Sequence, residues 1–162
     1  ETGIVILTHT QEGTMGPEQA KMLIELGVDP SKIIIGHMCG NTNPAYHKEV
    51  LGQGVRIGFD RFGIQVLVGA PFDQERIKTL VTLLNEGYED QILLSHDSIV
   101  VWLGRPPVMN EQVSQIMGNW QPAHIFDNIL PVLREKGINE TQFDKMLGGN
   151  AKALFAGSPL RV

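Results

Sequence analysis

Four short apolar runs, each followed by a polar or glycine-rich loop and then by a helical stretch, constrain the fold of this chain most. The runs are rich in Ile, Val and Leu and lack the alternating polar residues of a half-exposed strand. This pattern is typical of strands that are buried on both faces of a parallel sheet. We therefore predict strands at residues 4–7, 33–35, 55–59 and 92–94.

The stretches that follow these strands carry helix signals. Pro17 suits a first helical turn, Gly27 suits a helix end, and apolar residues recur at helical spacing between positions 73 and 86. Four strand–helix units in succession imply parallel strands with right-handed crossovers. Two α/β architectures fit this order: an open doubly wound sheet, or part of a (β/α)8 barrel. The predicted helices are residues 17–26, 44–52, 73–86, 123–136, 140–147 and 150–155, with a long loop at 98–122.

Size and charge exclude several classes of protein. The 162 residues, 42% of them hydrophobic and 19% charged, are those of a globular protein that can bury a core. No apolar run approaches the roughly 20 residues of a membrane helix. The net charge is −5 and basic residues do not cluster, so we expect no nucleic-acid surface. Cys39 is the single cysteine, which favours a reducing, cytoplasmic compartment.

Side chains that bind metals follow three of the predicted strands. His9 follows the first strand, His37 the second and Asp97 the fourth. The carboxyl ends of parallel strands carry the active site in barrels and border the ligand crevice in open sheets. Imidazole and carboxylate are the ligands of Zn²⁺, Fe²⁺ or Mn²⁺ at hydrolytic sites. The set predicts a divalent-metal site; the alternative is that each residue is a hydrogen-bonded structural residue.

The remaining reactive side chains have weaker functional signals. Cys39 follows the second strand and is either a nucleophilic thiol or, as we expect, part of the packing near the site. His96 should point to the face of the sheet opposite to Asp97, because side chains alternate along a strand. His47 should lie at the surface of a helix, and His124 should begin one.

Several motifs occur in order along the chain with regular spacing. They are Thr8-His9-Thr10, residues 16–19, residues 27–37, Gly58-Phe59-Asp60-Arg61-Phe62-Gly63, Ile92-Leu93-Leu94-Ser95-His96-Asp97, residues 131–137 and Asn150-Ala151. Together they resemble the phosphotriesterase family of the amidohydrolase superfamily, and within it the phosphotriesterase-like lactonases. The resemblance implies that residues 1–162 are the C-terminal half of a (β/α)8 TIM barrel, equivalent to strands five to eight.

The resemblance also implies roles for individual residues. His9 and His37 would be metal ligands, and Asp97 would bind metal and shuttle a proton as the catalytic residue. Arg61 would line the substrate pocket, as in the lactonase branch, and we expect Trp102 to form part of an apolar wall for an acyl chain. The implied cofactors are two divalent transition metals, zinc first, with iron, cobalt or manganese as alternatives.

Three elements of the family pattern are absent from this chain. The strand-one His-x-His pair and the strand-four lysine, whose carbamate bridges the metals, would belong to an N-terminal half that is not in these 162 residues. The family often has an aspartate three residues after the strand-six histidine, and here that position is Gly40. Because the chain runs from Glu1 directly into a predicted strand, we expect it to be a piece of a longer polypeptide.

Four βα units cannot close a barrel, so the first and last strands would be bare edges that invite pairing. We expect the missing N-terminal half or a second copy of the chain to complete it. The expected function is then a binuclear-metal hydrolase of lactones such as acyl-homoserine lactones, with organophosphate ester hydrolysis as an additional activity. The alternative, from a different class, is an inactive half-barrel fragment or assembly unit.

Overall fold

The four predicted strands form one parallel sheet. A computed structural model describes residues 3–65, 69–99, 101, 103–105 and 110–156 of the chain. The strands are β1 (Ile6–Thr8), β2 (Ile33–Ile35), β3 (Arg56–Phe59) and β4 (Ile92–Leu94). Each pairs in parallel with the next, in the order β1-β2-β3-β4.

This strand order distinguishes between the two architectures that the sequence allows. A doubly wound sheet reverses its strand order at a switch point, whereas neighbours in a (β/α)8 barrel follow chain order throughout. The observed order has no reversal among the described strands. The fold is therefore α/β, with four βα units that correspond to half of a barrel, as predicted.

The helices lie close to their predicted positions. Pro17 and Pro44 each stand in a first turn, where their missing N–H leaves no helical hydrogen bond unmade. Two of the predicted C-terminal helices contain a five-residue π-helical turn, at Ile125–Ile129 and Lys145–Gly149, which continues into the next helix. The α-helical segments are α1 (Gly16–Glu25), α2 (Pro44–Leu51), α3 (Asp73–Asn85), α4 (Glu111–Ile116), α5 (Leu130–Glu135), α6 (Glu140–Asp144) and α7 (Asn150–Ala156).

Helix α4 corrects the prediction of an uninterrupted loop at residues 98–122. Asn110 precedes this helix, and its side-chain oxygen accepts a hydrogen bond from the N–H of Val113 at 2.8 Å. Such a cap satisfies one of the free N–H groups of a first turn and allows a helix of only six residues to begin. None of the described helices is long and apolar enough to cross a membrane.

The prediction that every strand is buried on both faces is wrong for β1. Strands β2 and β3 are buried along their whole length, but Leu7 in the middle of β1 is 64% exposed. Among the described strands β1 pairs with β2 alone, so one edge of it lies open. The apolar sequence of β1 is thus suited to a sheet that extends further than these four strands.

The predicted surface position of His47 is also wrong, since its side chain is completely buried. Its ring packs on Phe59, with centroids 5.3 Å apart, and its Nδ1 and Nε2 lie 2.8 and 3.0 Å from the carbonyl oxygens of Asn43 and Met38. Burial lowers the pKa of His47, and these two hydrogen bonds oppose that effect. His47 therefore joins α2 to the turn that follows β2.

Candidate active site

His9, His37 and Asp97 come together at the carboxyl edge of the sheet. The rings of His9 and His37 meet edge to face, with centroids 4.6 Å apart. The Nε2 atom of His37 lies 3.9 Å from Oδ2 of Asp97. The sheet thus brings side chains from three strand ends, 88 positions apart in sequence at the extremes, into one cluster.

Asp60, which follows β3, orients His37. Its carboxylate accepts hydrogen bonds from the backbone N–H of His37, at 3.0 and 3.2 Å, and lies 3.0 Å from Nδ1 of the ring. Because a carboxylate only accepts hydrogen bonds, Nδ1 carries a proton and donates it to Asp60, which leaves Nε2 facing the site. No role was predicted for Asp60 from the sequence. Its position directly after β3 and beside Arg61 is the feature from which a role could have been predicted.

Arg61 and Asp97 form an ion pair across the mouth of the site. The Nε atom of Arg61 lies 3.0 Å from Oδ2 of Asp97, the same oxygen that faces His37. Asp97 has a φ of 51° and His37 a φ of 60°. Asp and His are among the few residues enriched in this left-handed region, so both side chains project from tight turns.

A cavity of about 400 Å³ adjoins this ion pair. Charged side chains, Arg61 and Asp97 among them, line it together with apolar ones that include Ile64, Ile99 and Met117. Trp120 lines it as well and donates an Nε1–H hydrogen bond to the carbonyl of His96 at 3.2 Å. Trp102, the predicted wall of the acyl pocket, lies outside the described residues.

The side chains at the site are of types that bind metals, but too few of them converge among the described residues to surround a metal ion. His37 presents an oriented Nε2 with a carboxylate behind Nδ1, the arrangement that metal-binding histidines adopt. However, no three His, Cys, Asp or Glu side chains of the described part of the chain converge as a complete metal-binding group. The described residues alone therefore do not form a complete metal site.

Gly40 lies where the backbone leaves no space for a side chain. A Cβ at this position would stand 2.6 Å from Cα of Glu12 and 3.0 Å from the backbone nitrogen of Gly13. The glycine thus allows the loops after β1 and β2 to touch. The aspartate that the family often has here does not fit this backbone.

Gly40→Asp should therefore destabilise the fold instead of restoring a proton path. We expect a loss of roughly 1–3 kcal/mol, because overpacking against backbone forces the two loops apart. The midpoint of urea unfolding measures it. Gly148→Asp is the matched control, since nothing lies within 4 Å of a Cβ at Gly148, and a loss of equal size there would contradict the steric explanation.

Cys39 packs in the core. It is completely buried, and burial raises the pKa of its thiol to about 12. A thiol reacts as its thiolate, so this environment suppresses reactivity. This finding matches the expectation that the cysteine is part of the packing near the site.

The native protein should therefore resist thiol labelling at pH 8. A rise in the pKa from 9.0 to about 12 lowers the thiolate fraction by roughly 10³-fold. Folding favours the protonated thiol, so the contribution of Cys39 to stability should be present below pH 9 and be lost as the pH rises toward 12. Labelling by a chromogenic disulfide reagent, with and without urea, measures the first effect; equal rates would contradict it.

Sequence reasoning missed a buried polar cluster behind the cavity. Asp73, at the start of α3, lies 2.8 Å from both Nη1 of Arg76 and Nε2 of His124, and all three residues are buried. The local pattern shows only an acidic first turn, which is common in helices. His124 does begin a helical segment, as predicted, but its partner lies 51 positions earlier.

Most of the chain matches known proteins. The model of the phosphotriesterase family matches residues 1–155. The chain belongs to the phosphotriesterase family. An aryldialkylphosphatase from Saccharolobus solfataricus is 34% identical to it over 159 residues, which are 96% of this chain and 49% of that protein.

Solved structures of the phosphotriesterase family match the fold. An organophosphorus hydrolase from Deinococcus radiodurans has a TM-score of 0.90 and 57% identity, over 96% of this chain and 46% of that one. A variant of a phosphotriesterase-like lactonase from the same organism has a TM-score of 0.88 and 55% identity, over 95% and 48%. The chain thus spans about half the length of the relatives that it matches.

Proposed function

We propose that this chain is the C-terminal half of a metal-dependent lactone hydrolase that becomes active when its barrel is completed. The observation that carries the proposal is the cluster in which His37 Nε2 and Asp97 Oδ2 face each other beside the ring of His9. Its support is family membership together with relatives whose names describe lactone and organophosphorus hydrolysis. Hydrolysis of organophosphate esters is the additional activity that we propose.

His9, His37 and Asp97 would hold two divalent metals together with ligands from the missing half. Zinc is the metal that we propose, with iron, cobalt and manganese as alternatives, because imidazole and carboxylate suit all four. When bound, such metals polarise the group to be cleaved and activate water. Asp60 would keep His37 in the tautomer that leaves Nε2 available.

Asp97 and Arg61 have separate roles in the proposed reaction. Asp97 takes up a proton during attack and passes it to the leaving alkoxide, which a half-exposed carboxylate at the mouth of the site is placed to do. Arg61 donates to an oxygen of the substrate or of the opened ring. In this structure Arg61 donates its Nε–H to Oδ2 of Asp97. When metals and substrate bind, Arg61 therefore exchanges this partner for the substrate oxygen.

The cavity beside Arg61 supports a substrate with a polar head and an apolar tail. Arg61 would hold the lactone, and the side chains of Ile64, Ile99 and Met117, which line the same cavity, would contact an acyl chain. Acyl-homoserine lactones have this chemistry. Trp102 stays a prediction as a further part of that wall.

The completing half would pair with the open edge of β1. Leu7 is apolar and 64% exposed there, and about half of each matched relative lies outside the region that this chain covers. We propose the N-terminal half of the barrel as the partner, with a second copy of this chain as the alternative. We propose the cytoplasm as its location, which the buried, unpaired Cys39 supports.

Native mass spectrometry of the purified protein, followed by a hydrolysis assay, tests the proposal. The expected result is this chain together with a second polypeptide and two metals, which hydrolyses an acyl-homoserine lactone in the presence of Zn²⁺, Co²⁺ or Mn²⁺. A lone or self-paired 17.9 kDa chain without metals and without turnover would overturn it.

An inactive half-barrel or assembly unit is the second candidate. It is favoured by the lack of a complete metal-binding group among the described residues. The same experiment separates the two, because the assembly unit would form a stable complex that binds no metal pair and hydrolyses no lactone.

A further inference from the structure

We propose that Asp73 is a positioning residue that holds Arg61 at the mouth of the site. Asp73 does not line the cavity and lies outside the cluster of proposed metal ligands. It acts through the loop that follows β3, in which Arg61 stands. The inference rests on the proposed function in one respect only, since the substrate contact of Arg61 is itself part of that proposal.

The carboxylate of Asp73 is bound on three sides. Its oxygens accept hydrogen bonds from the backbone N–H of Gly63, at 3.1 and 3.2 Å. They also lie 2.8 Å from Nη1 of Arg76 and 2.8 Å from Nε2 of His124. A buried carboxylate with this many donors has one orientation, because each lost partner would leave a buried polar group unsatisfied.

Gly63, two residues after Arg61, is confined from the other side as well. Its φ is 91°, and a Cβ there would stand 2.2 Å from the carbonyl oxygen of Asn119 and 3.0 Å from Cα of Trp120. The loop therefore lies between the Asp73 carboxylate and the chain that follows α4. A shift of Gly63 would be transmitted over two residues to the guanidinium of Arg61.

The same cluster reaches the other two loops of the site. Arg76, which is 1% exposed, donates from Nε to the carbonyl of Cys39 at 3.4 Å, two residues after His37. Trp120 donates to the carbonyl of His96, which precedes Asp97. Asp73 thus contacts the loop of Arg61 directly and reaches the loop of His37 through Arg76, whereas the loop of Asp97 is reached through Trp120, which packs against Gly63.

This arrangement is more than a helix cap. An acidic residue in the first turn of a helix normally stabilises the helix by accepting hydrogen bonds from its own N–H groups. The acceptor bonds of Asp73 go instead to Gly63 in a preceding loop and to His124 before another helix. Its backbone N–H donates to Gln65 of that same loop at 3.0 Å. Three partners outside the helix, two of them in the loop after β3, indicate that Asp73 positions that loop.

The first test is a spectrum that needs no turnover. In protein labelled with ¹⁵N-arginine, the Nε–Hε signal of Arg61, assigned by Arg61→Lys, reports its ion pair with Asp97. We expect Asp73→Asn to move or broaden that signal. Asn150→Ala is the matched control, because Asn150 is also buried and binds two carbonyls, of Glu89 and Ile92, at the opposite end of β4.

The outcomes of this experiment separate positioning from general stabilisation. An Arg61 signal that is unchanged by Asp73→Asn, or changed equally by Asn150→Ala, would overturn the inference. If Asp73→Asn does not fold, His124→Ala removes a single partner of Asp73 and is judged by the same signal. The result holds whether or not the protein hydrolyses lactones, so failure of the proposed function remains distinguishable.

A double-mutant cycle in the active, completed barrel gives the second test. We expect Asp73→Asn to lower kcat/KM by about 10-fold, and to have no further effect once Arg61 is alanine. An equal loss in both backgrounds would mean that Asp73 does not act through Arg61 and would overturn the inference.

Discussion

Replacement of Asp97 by asparagine is expected to lower kcat for lactone hydrolysis by about 10²–10⁴-fold in the completed barrel. The carboxylate is the only acidic group within 4 Å of His37 Nε2 among the described residues, and an amide accepts no proton. Steady-state hydrolysis of an acyl-homoserine lactone by the two proteins measures the loss.

The structure indicates that Asp97→Asn leaves the fold intact. Asn, like Asp, tolerates the φ of 51° at position 97, and the side chain is 38% exposed, so the fold should keep its stability. Asp127→Asn is the matched control, because Asp127 is an exposed acid far along the chain in the segment before α5. Full activity of Asp97→Asn, with the control also active, would remove Asp97 from the proposed reaction.

The strands were predictable because each is a short apolar run with a clear stop. Buried parallel strands need no polar face, so residues 33–35 and 92–94 were predicted with their observed bounds. Asp29, which accepts from the N–H of Ser31, and Pro30 begin the turn that leads into β2. Such local signals fix where an element begins without reference to the rest of the chain.

The place of the candidate site was predictable for a topological reason. Parallel strands end on the same edge, so His9, His37 and Asp97 had to lie there once the strand order was known. Their partners were not predictable, because the hydrogen bonds of Asp60 and the ion pair of Arg61 depend on φ values and rotamers. No residue-type pattern in the sequence encodes these.

The buried polar residues are the part of the structure that was least predictable from the sequence. The partners of His47 are the carbonyl of Asn43, just before α2, and that of Met38, in a turn nine residues earlier. The pattern of apolar residues along the helix does not distinguish His47 from a surface residue. Asp73 and His124 are 51 positions apart, and their side chains meet only when α3 packs near the helical segment that begins at His124. Long-range pairs of this kind follow from the packing, which a single sequence does not give.

Replacement of Leu7 by aspartate is expected to prevent completion of the barrel while leaving this chain folded. Leu7 lies in the middle of β1, two residues before His9, so alternation places both on one face of the sheet. In a complete barrel a side chain there is covered by the added strands. Burying an unpaired carboxylate costs several kcal/mol, which corresponds to at least a 10²-fold weaker association.

Native mass spectrometry of the parent and variant proteins, at several concentrations, measures this loss. Ile116→Asp is the matched control, because Ile116 is an exposed apolar residue on α4, away from the strand edges. The parent and the control should assemble alike, and Leu7→Asp should remain as a single folded chain.

The result also decides between the two proposed partners. An interface at the edge of β1 requires a strand from the partner, which either the N-terminal half or a second copy could supply. The two assemblies have different masses, so native mass spectrometry distinguishes them. Assembly of Leu7→Asp at the parent's concentration would exclude the β1 edge as the interface. Because the proposed metal ligands do not form a complete metal-binding group among the described residues, loss of assembly and loss of metal should then occur together. A variant that stays single yet binds two metals would mean that the site is complete without the second half.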